Sequence, residues 1–286
     1  MYGPEKSPTK QPMTKQPVTI NDIRAAVRAS GLSDRSVCVH ASLRSFGWVE
    51  GGAQAVVGGL LAEGCTVLVL TLTWAFASPP PLGRKPAQNG MDYARGEGFA
   101  VGGPVYSPDR QEIEQDILGA APAAVIAMPE RIRGNHPRDS FTAVGPRARE
   151  LISGQTPDDV YAPLRALAEA GGAVVLMGVG LDKMTLLHLA EQRAGRRMFR
   201  RWANGADGQP VEVAEGGCSH GFGNLEPVLL PLATTVTVGK SLWRVFSASA
   251  AVDMAAEAIR LNPSITHCGH VSCLECRDAV LGGPIS

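Results

Sequence analysis

The chain lacks a surplus of either charge. Its 27 lysines and arginines are matched by 27 aspartates and glutamates over 286 residues, so the molecule as a whole offers no field to nucleic acid or to an anionic membrane. No apolar run approaches the roughly 18 residues that a bilayer span requires. The first residues, Met1 to Pro17, have no apolar core of the signal-peptide kind. These absences predict a cytoplasmic protein with no membrane or nucleic-acid partner, a flexible polar tail over 1–17 and one folded domain over 18–286. Aromatic residues make up only 5%, and 6 cysteines are too few in so long a chain for a disulfide framework. The pattern Gly-x-Ser-x-Gly occurs once, at Gly217-Cys-Ser219-His-Gly221, in a segment too glycine-rich to make the strand-to-helix elbow of a serine hydrolase. What is plentiful is glycine, 33 residues, and proline, 21, beside an apolar content of 44%. Such a composition suits a turn-rich globular α/β protein with enough chain for one large core.

The chain is organised around the stretch from Gly171 to Glu191. Ala173 to Met177 is a continuous apolar run ending at glycine, which predicts a fully buried strand. Gly178-Val-Gly180 makes the turn, and Asp182 or Thr185 is placed to cap the helix that follows. On that helix Thr185, His188 and Gln192 share a face, and Glu191 lies about one turn past His188. A titratable imidazole thus stands on a rigid element just beyond the carboxyl end of a strand, where α/β proteins place their chemistry.

Upstream, Val18 to Ser30 predicts an amphipathic helix closed by Gly31, Ser36 to His40 a strand, Ala53 to Glu63 a helix and Cys65 to Thr73 a second strand. The loop His40-Ala-Ser42-Leu43-Arg44-Ser45-Phe46-Gly47 between them is small and hydroxyl-rich, letting backbone N–H groups approach a phosphate or a pantetheine amide beside Arg44. From Trp74 to about Ile113 periodicity is lost, the mark of a binding loop or lid, and its carboxylates Asp92 and Glu97 are counter-charges for a cationic substrate. A second cluster, Arg131 to Gly145, carries His136 and Ser140 and reads as a loop. Helices at Pro146–Ile152 and Val160–Ala170 lead to the central strand. Arg197–Trp202 and Val211–Glu215 flank a hairpin at Asp207-Gly208, and Ser247–Ile259 is a final helix. Near the end, Cys273-Leu-Glu-Cys276 has metal-ligand spacing, with His267 upstream and Cys218 or His220 available from the loop Gly216–Gly223. The expected set for a structural zinc is Cys218, His267, Cys273 and Cys276.

Taken together, His40–Gly47 with Gly51-Gly52, Asn135–Gly145, and Gly178 with Thr185–Glu191 resemble the aminoglycoside 3-N-acetyltransferase family. The resemblance implies a single three-layer α/β/α domain with a mixed central sheet, distinct from the commoner acetyl-CoA N-acetyltransferase fold. It also implies acetyl-CoA as cosubstrate and an aminoglycoside as acceptor, acetylated on the 3-amino group of its 2-deoxystreptamine ring. His188 then matches the family's catalytic histidine, Glu215 its acidic partner, and Thr185 a residue beside the thioester. Residues 40–47, with Ala41 apart, border the coenzyme together with His136, Ser140 and Phe141, while Asp92, Glu97, Glu191 and Glu215 face the acceptor. Two departures stand out: Trp74–Ala77 lacks the family's acidic residue after the second strand, and Ala162-Pro-Leu164 replaces Ser-Pro-Leu.

A sugar ammonium must lose a proton before it attacks a thioester, and an imidazole titrating near 6.5 suits that task. His188 is the expected base, with Glu215 orienting it or holding a neighbouring ammonium, and Thr185 donating to the developing oxyanion. Two other classes compete. An acyl-enzyme mechanism would need a nucleophilic serine or cysteine, yet Cys38 and Cys65 fall in or beside apolar strands. A non-enzymatic zinc module would have no use for the His188 helix.

Overall fold

The computed structural model describes residues 16–95, 99 and 102–285. Most of the expected N-terminal tail, and Glu97, therefore lie outside the described residues. Ten strands run in chain order among the described residues: β1 (Ser36–Ala41), β2 (Thr66–Leu72), β3 (Ala77–Ser78), β4 (Ile132–Arg133), β5 (Asp139–Val144), β6 (Ala173–Met177), β7 (Phe199–Asn204), β8 (Pro210–Glu215), β9 (Thr234–Val238) and β10 (Ser241–Ser247). The α-helices are α1 (Ile20–Ala29), α2 (Gly52–Ala62), α3 (Gln115–Leu118), α4 (Ala120–Ile126), α5 (Ala148–Ile152), α6 (Ala162–Glu169), α7 (Leu186–Arg193), α8 (Glu226–Leu229), α9 (Ala248–Leu261) and α10 (Leu274–Val280).

Seven strands form the central sheet in the order β4-β5-β2-β1-β6-β10-β9. Its middle, β2-β1-β6, is parallel, and the strands added on either side are antiparallel. The parallel strands are apolar throughout because both faces are covered, as β6 shows with all of its residues buried. Strand alternation then builds two cores. Ala173, Val175 and Met177 join Val37, Val39, Val67 and Val69 on one face, under α1, α2 and α4. Val174 and Leu176 point the other way with Cys38 and Leu68, under α5, α6, α7 and α9. Each fully buried aliphatic side chain contributes roughly 1.5–3 kcal/mol, so the strand ends at the sheet centre are rigid. The result is the expected three-layer α/β/α domain.

Local signals account for several boundaries. Thr19 and Asp22 close a capping box on α1, and Gly119, at φ 81°, separates α3 from α4. The cluster Arg131–Gly145 is not a loop: Asp139–Val144 pairs antiparallel with β2, placing Asp139 opposite Leu72. Likewise a strand, β10, precedes α9 and inserts between β6 and β9. A second, three-stranded sheet, β3-β7-β8, carries the hairpin expected at Asp207-Gly208. Among the described residues, no helix is long and apolar enough to cross a membrane.

Candidate active site

A cavity of about 960 Å³ opens at the carboxyl ends of β1, β2 and β6, where strands leaving a parallel sheet create a crevice. Gly178 makes the turn out of β6 with φ +66°, and a Cβ there would stand 2.1 Å from Ser45 Oγ, so only glycine fits. The chain passes through a short 3₁₀ turn, Leu181–Lys183, and enters α7. Neither Asp182 nor Thr185 caps that helix through its side chain. Thr185 faces the cavity instead, as do His188, Glu215 and His40.

His188 keeps only 7% of its surface exposed. Its ring stacks on Tyr161 with centroids 5.8 Å apart and meets the edge of Phe222 at 4.8 Å. Nδ1 lies 2.7 Å from Glu191 Oε2, and the other Glu191 oxygen accepts from Arg196. A carboxylate paired to a guanidinium can only accept, so Nδ1 carries the hydrogen and Nε2 keeps its lone pair. This corrects two expectations. Glu191, not Glu215, orients the imidazole, and Glu191 is buried behind it rather than lining the cavity for substrate. The backbone of Gly216 closes over the ring: a Cβ there would lie 2.3 Å from Tyr161 Oη and 2.8 Å from His188 Nδ1.

Glu215, at the end of β8, accepts from Arg138 in a buried ion pair. Beside it lies Asp139, which sequence reasoning passed over because its strand was read as a loop. Burial, reinforced by the charge of Glu215, holds the Asp139 carboxyl well above the usual range. Asp116, Asp139 and Glu215 place acidic side chains on the cavity lining, and Arg44 and Lys183 place basic ones, Lys183 pairing with Asp182 of the same lining at 3.3 Å.

Several predicted coenzyme residues lie elsewhere. His40, Ser42, Leu43 and Arg44 line the cavity. Ser45 instead bonds Ser42 O and Ser241 Oγ, each at 2.7 Å, Phe46 packs against Trp243, and Gly47 follows them away from the opening. Ser140 is buried among Thr71 and Arg133, and Phe141 is core. His136 is also fully buried. Its Nδ1 accepts from the backbone N–H of Asp139 at 2.8 Å and of Arg138 at 3.3 Å, while Nε2 donates to Ala214 O at 2.9 Å. It is a brace between β5 and β8, not a coenzyme ligand. Asp92 caps Ala94 N and pairs with Arg95 outside the cavity. The long segment after β2 is no lid among the described residues: Asn89 docks on Arg200 and Gly90 on Asp278.

The His136 geometry sets a pH dependence. Protonating Nδ1 would break two hydrogen bonds, and burial pushes the folded ring down to about 4 from 6.5. Between those values the unfolded chain binds a proton that the native chain refuses. This stability is therefore complete above pH 6.5 and is lost as pH falls towards about 4. His40, also pushed down to about 4 by burial, adds to the loss, and Asp139 acts in the opposite sense. Thermal melts from pH 7 to pH 4.5, on the order of the window these shifts define, should show a falling midpoint, with a shallower fall in His136→Gln. Parallel curves would remove His136 as the cause.

The metal set also changes. Cys218, Cys268, Cys273 and Cys276 gather their sulfur atoms, and His267 does not join them. Its Nδ1 turns back to accept from Gly269 N at 2.9 Å.

Residues 38–260 match the family model described as aminoglycoside 3-N-acetyltransferase. The aminoglycoside N(3)-acetyltransferase IX of Micromonospora chalcea is 35% identical over 192 residues, 64% of this chain and 65% of that protein. The chain thus spans just under two thirds of that relative's length. The aminoglycoside N(3)-acetyltransferase VIII of Streptomyces fradiae is 34% identical over 211 residues, 65% of this chain and 71% of that protein. The crystal structure of YokD protein from Bacillus subtilis is similar with a TM-score of 0.74 at 26% identity, over 88% of this chain and 96% of that one.

Proposed function

The chain belongs to the aminoglycoside 3-N-acetyltransferase family, and on that footing we propose that it transfers the acetyl group of acetyl-CoA to the 3-amino group of an aminoglycoside's 2-deoxystreptamine ring, in the cytoplasm, by a domain spanning 18–286. The observation that carries this reading is an imidazole with one ring nitrogen committed to Glu191 and the other free, on the lining of a cavity that also carries acidic and basic side chains.

The charged lining divides between the substrates. Ser42, Leu43 and Arg44 with Lys183 suit the amides and phosphates of the coenzyme, since short backbone turns and cations receive anions. Asp139, Glu215 and Asp116 suit a polycationic sugar. An arriving ammonium adds to the positive charge that Arg138 and Arg201 already set beside Asp139, and so favours release of its proton.

His188 Nε2 takes a proton from the 3-ammonium group. The freed amine nitrogen attacks the thioester carbon, and the carbonyl oxygen gains negative charge, to which the Thr185 hydroxyl donates. The C–S bond then breaks: the thiolate leaves with the proton that the imidazolium returns, and the new amide nitrogen releases its second proton to solvent. No acyl-enzyme is formed: Cys38 is fully buried and its thiol is pushed up to about 12 by burial, and Cys65 is pushed up to about 11, again chiefly by burial.

The deciding experiment incubates the protein with acetyl-CoA and a panel of 2-deoxystreptamine aminoglycosides, reading free thiol and product mass. Thiol release dependent on the aminoglycoside, with one acetyl group on the 3-nitrogen, is expected. Thiol release no faster than without protein across the panel, or an acetylated protein trapped on the way, rejects the proposal.

A further inference from the structure

Acetyl transfer makes no use of the cysteines beyond β8. The Sγ atoms of Cys218, Cys268, Cys273 and Cys276 all lie within 4.8 Å of one another, and all four are free thiols. Four thiolates around one zinc ion at about 2.3 Å stand about 3.8 Å apart, so the cluster has the size of such a site. We propose that these four cysteines bind one structural Zn²⁺, and that the ion fixes the glycine-rich wall over His188; the second half rests on the acetyl-transfer reading.

Three observations carry the metal. First, the donor set is soft and entirely sulfur, which selects zinc over magnesium or calcium. Second, the backbone is shaped around the sulfurs. Cys268 N–H donates to Cys276 Sγ at 3.4 Å, Gly269 turns the chain at φ +80°, and Cys273 N–H donates to His270 O at 3.0 Å. Cys273 stands at the start of α10 with Cys276 one turn on, so both sulfurs leave the same side. Third, the segment's other ties are mostly polar, Arg196 to Thr266 and Pro263 O, and Gly90 N to Asp278. From Asn262 to Gly282 no aliphatic or aromatic side chain is buried, and a stretch without its own core needs a staple. On binding, each thiol that is protonated gives up its proton, and the ion takes four thiolates.

The clamp reaches the active site through Cys218. The loop that bears it packs Gly216 on His188 and Tyr161, and Gly217 on Phe199 and Glu275. Its far end is held by Phe222 and Leu225, both buried in the core, and by Asn224 Nδ2 donating to Ile265 O at 3.0 Å and His267 O at 3.1 Å. Glu275, between the two helical cysteines, pairs with Arg201 at 3.6 Å. One ion thus ties the loop after β8 to the C-terminal helix.

Metal analysis of the purified full chain should find one equivalent of zinc, released when an organomercurial titrates the thiols. Exchange with cobalt(II) should give the sulfur-to-metal charge-transfer and d–d absorption of a tetrahedral thiolate site. Neither measurement depends on a variant that folds. Cys268→Ser should lose the metal and His267→Ala should keep it. A metal-free protein with four reactive thiols and no cobalt spectrum overturns the site, as does metal retained equally in Cys268→Ser. Zinc removal that leaves turnover per folded molecule unchanged overturns the clamp. Zinc present in a protein inactive on every aminoglycoside tested upholds the metal site while the assigned activity fails.

Discussion

Replacing His188 by alanine is expected to lower turnover by a factor on the order of 10²–10⁴, while binding of acetyl-CoA is nearly unchanged. At 1.36 kcal/mol per decade, that is about 3–5 kcal/mol of lost transition-state stabilisation. The size follows from what the ring alone supplies. Thr185 and the charged side chains of the lining all survive the substitution, so substrates still meet, but the ammonium has nowhere to leave its proton. Glu191→Gln should cost less, because the amide oxygen can still accept from Nδ1 and the stacking of Tyr161 still holds the ring. Because alanine also empties space against Phe222, His188→Gln, with most of the volume restored, separates lost chemistry from lost packing. Steady-state kinetics with separate kcat and KM for each substrate checks the claim, and near-normal kcat in both variants would remove His188 from the role.

Arg138→Ala is expected to destabilise the fold by about 3–5 kcal/mol, the cost of leaving a buried charge without its partner. Arg138 and Glu215 have side chains only 5% and 10% exposed. Without the guanidinium, the Glu215 carboxylate faces Asp139, whose own carboxyl is already held neutral-leaning by burial and by Glu215. Phe99, over which Arg138 lies at 5.4 Å, also loses its cation. A drop in melting temperature of roughly 10 °C corresponds to that loss in a chain of this size. Calorimetry at pH 7.5 measures it, roughly a unit above the histidine range. The double change Arg138→Met with Glu215→Leu should recover much of the stability, since an apolar pair of similar volume replaces the ion pair. A melting curve that Arg138→Ala leaves in place would show that the pair carries no such energy.

The parallel heart of the sheet was legible because β1, β2 and β6 are short apolar runs bounded by glycine or polar residues, a signature that does not depend on which strand lies beside them. His188 was legible for a related reason: helical spacing after a buried strand fixes where its ring stands. Asp139 was not. Its hydrophobic alternation is brief and follows His136-Pro137, and only pairing with β2, a partner far away in the chain, turns the segment into a strand. Arg196 was hidden in the same way, since its place behind Glu191 depends on how α7 ends. At the metal cluster His267 and Cys268 are neighbours with equal claims by spacing, and the turn at Gly269 decides between them by directing the imidazole to a backbone N–H. The coenzyme loop was half legible, because it ends in a 3₁₀ turn that buries Phe46.

The cross-links that build the cavity also join points far apart in the chain. Arg138 with Glu215 and His136 with Ala214 span 77 and 78 positions, and Gly90 with Asp278 spans 188. Closing such wide loops sacrifices chain entropy before any contact repays it, and contacts of this reach slow the search for the native state. The parallel heart of the sheet waits on a closure at least as wide, since β1 pairs with β6 as Val37 with Ala173, 136 positions apart. Sheet and site are therefore completed late and together, so a folding assay that follows sheet formation should not run far ahead of one that follows enzyme activity.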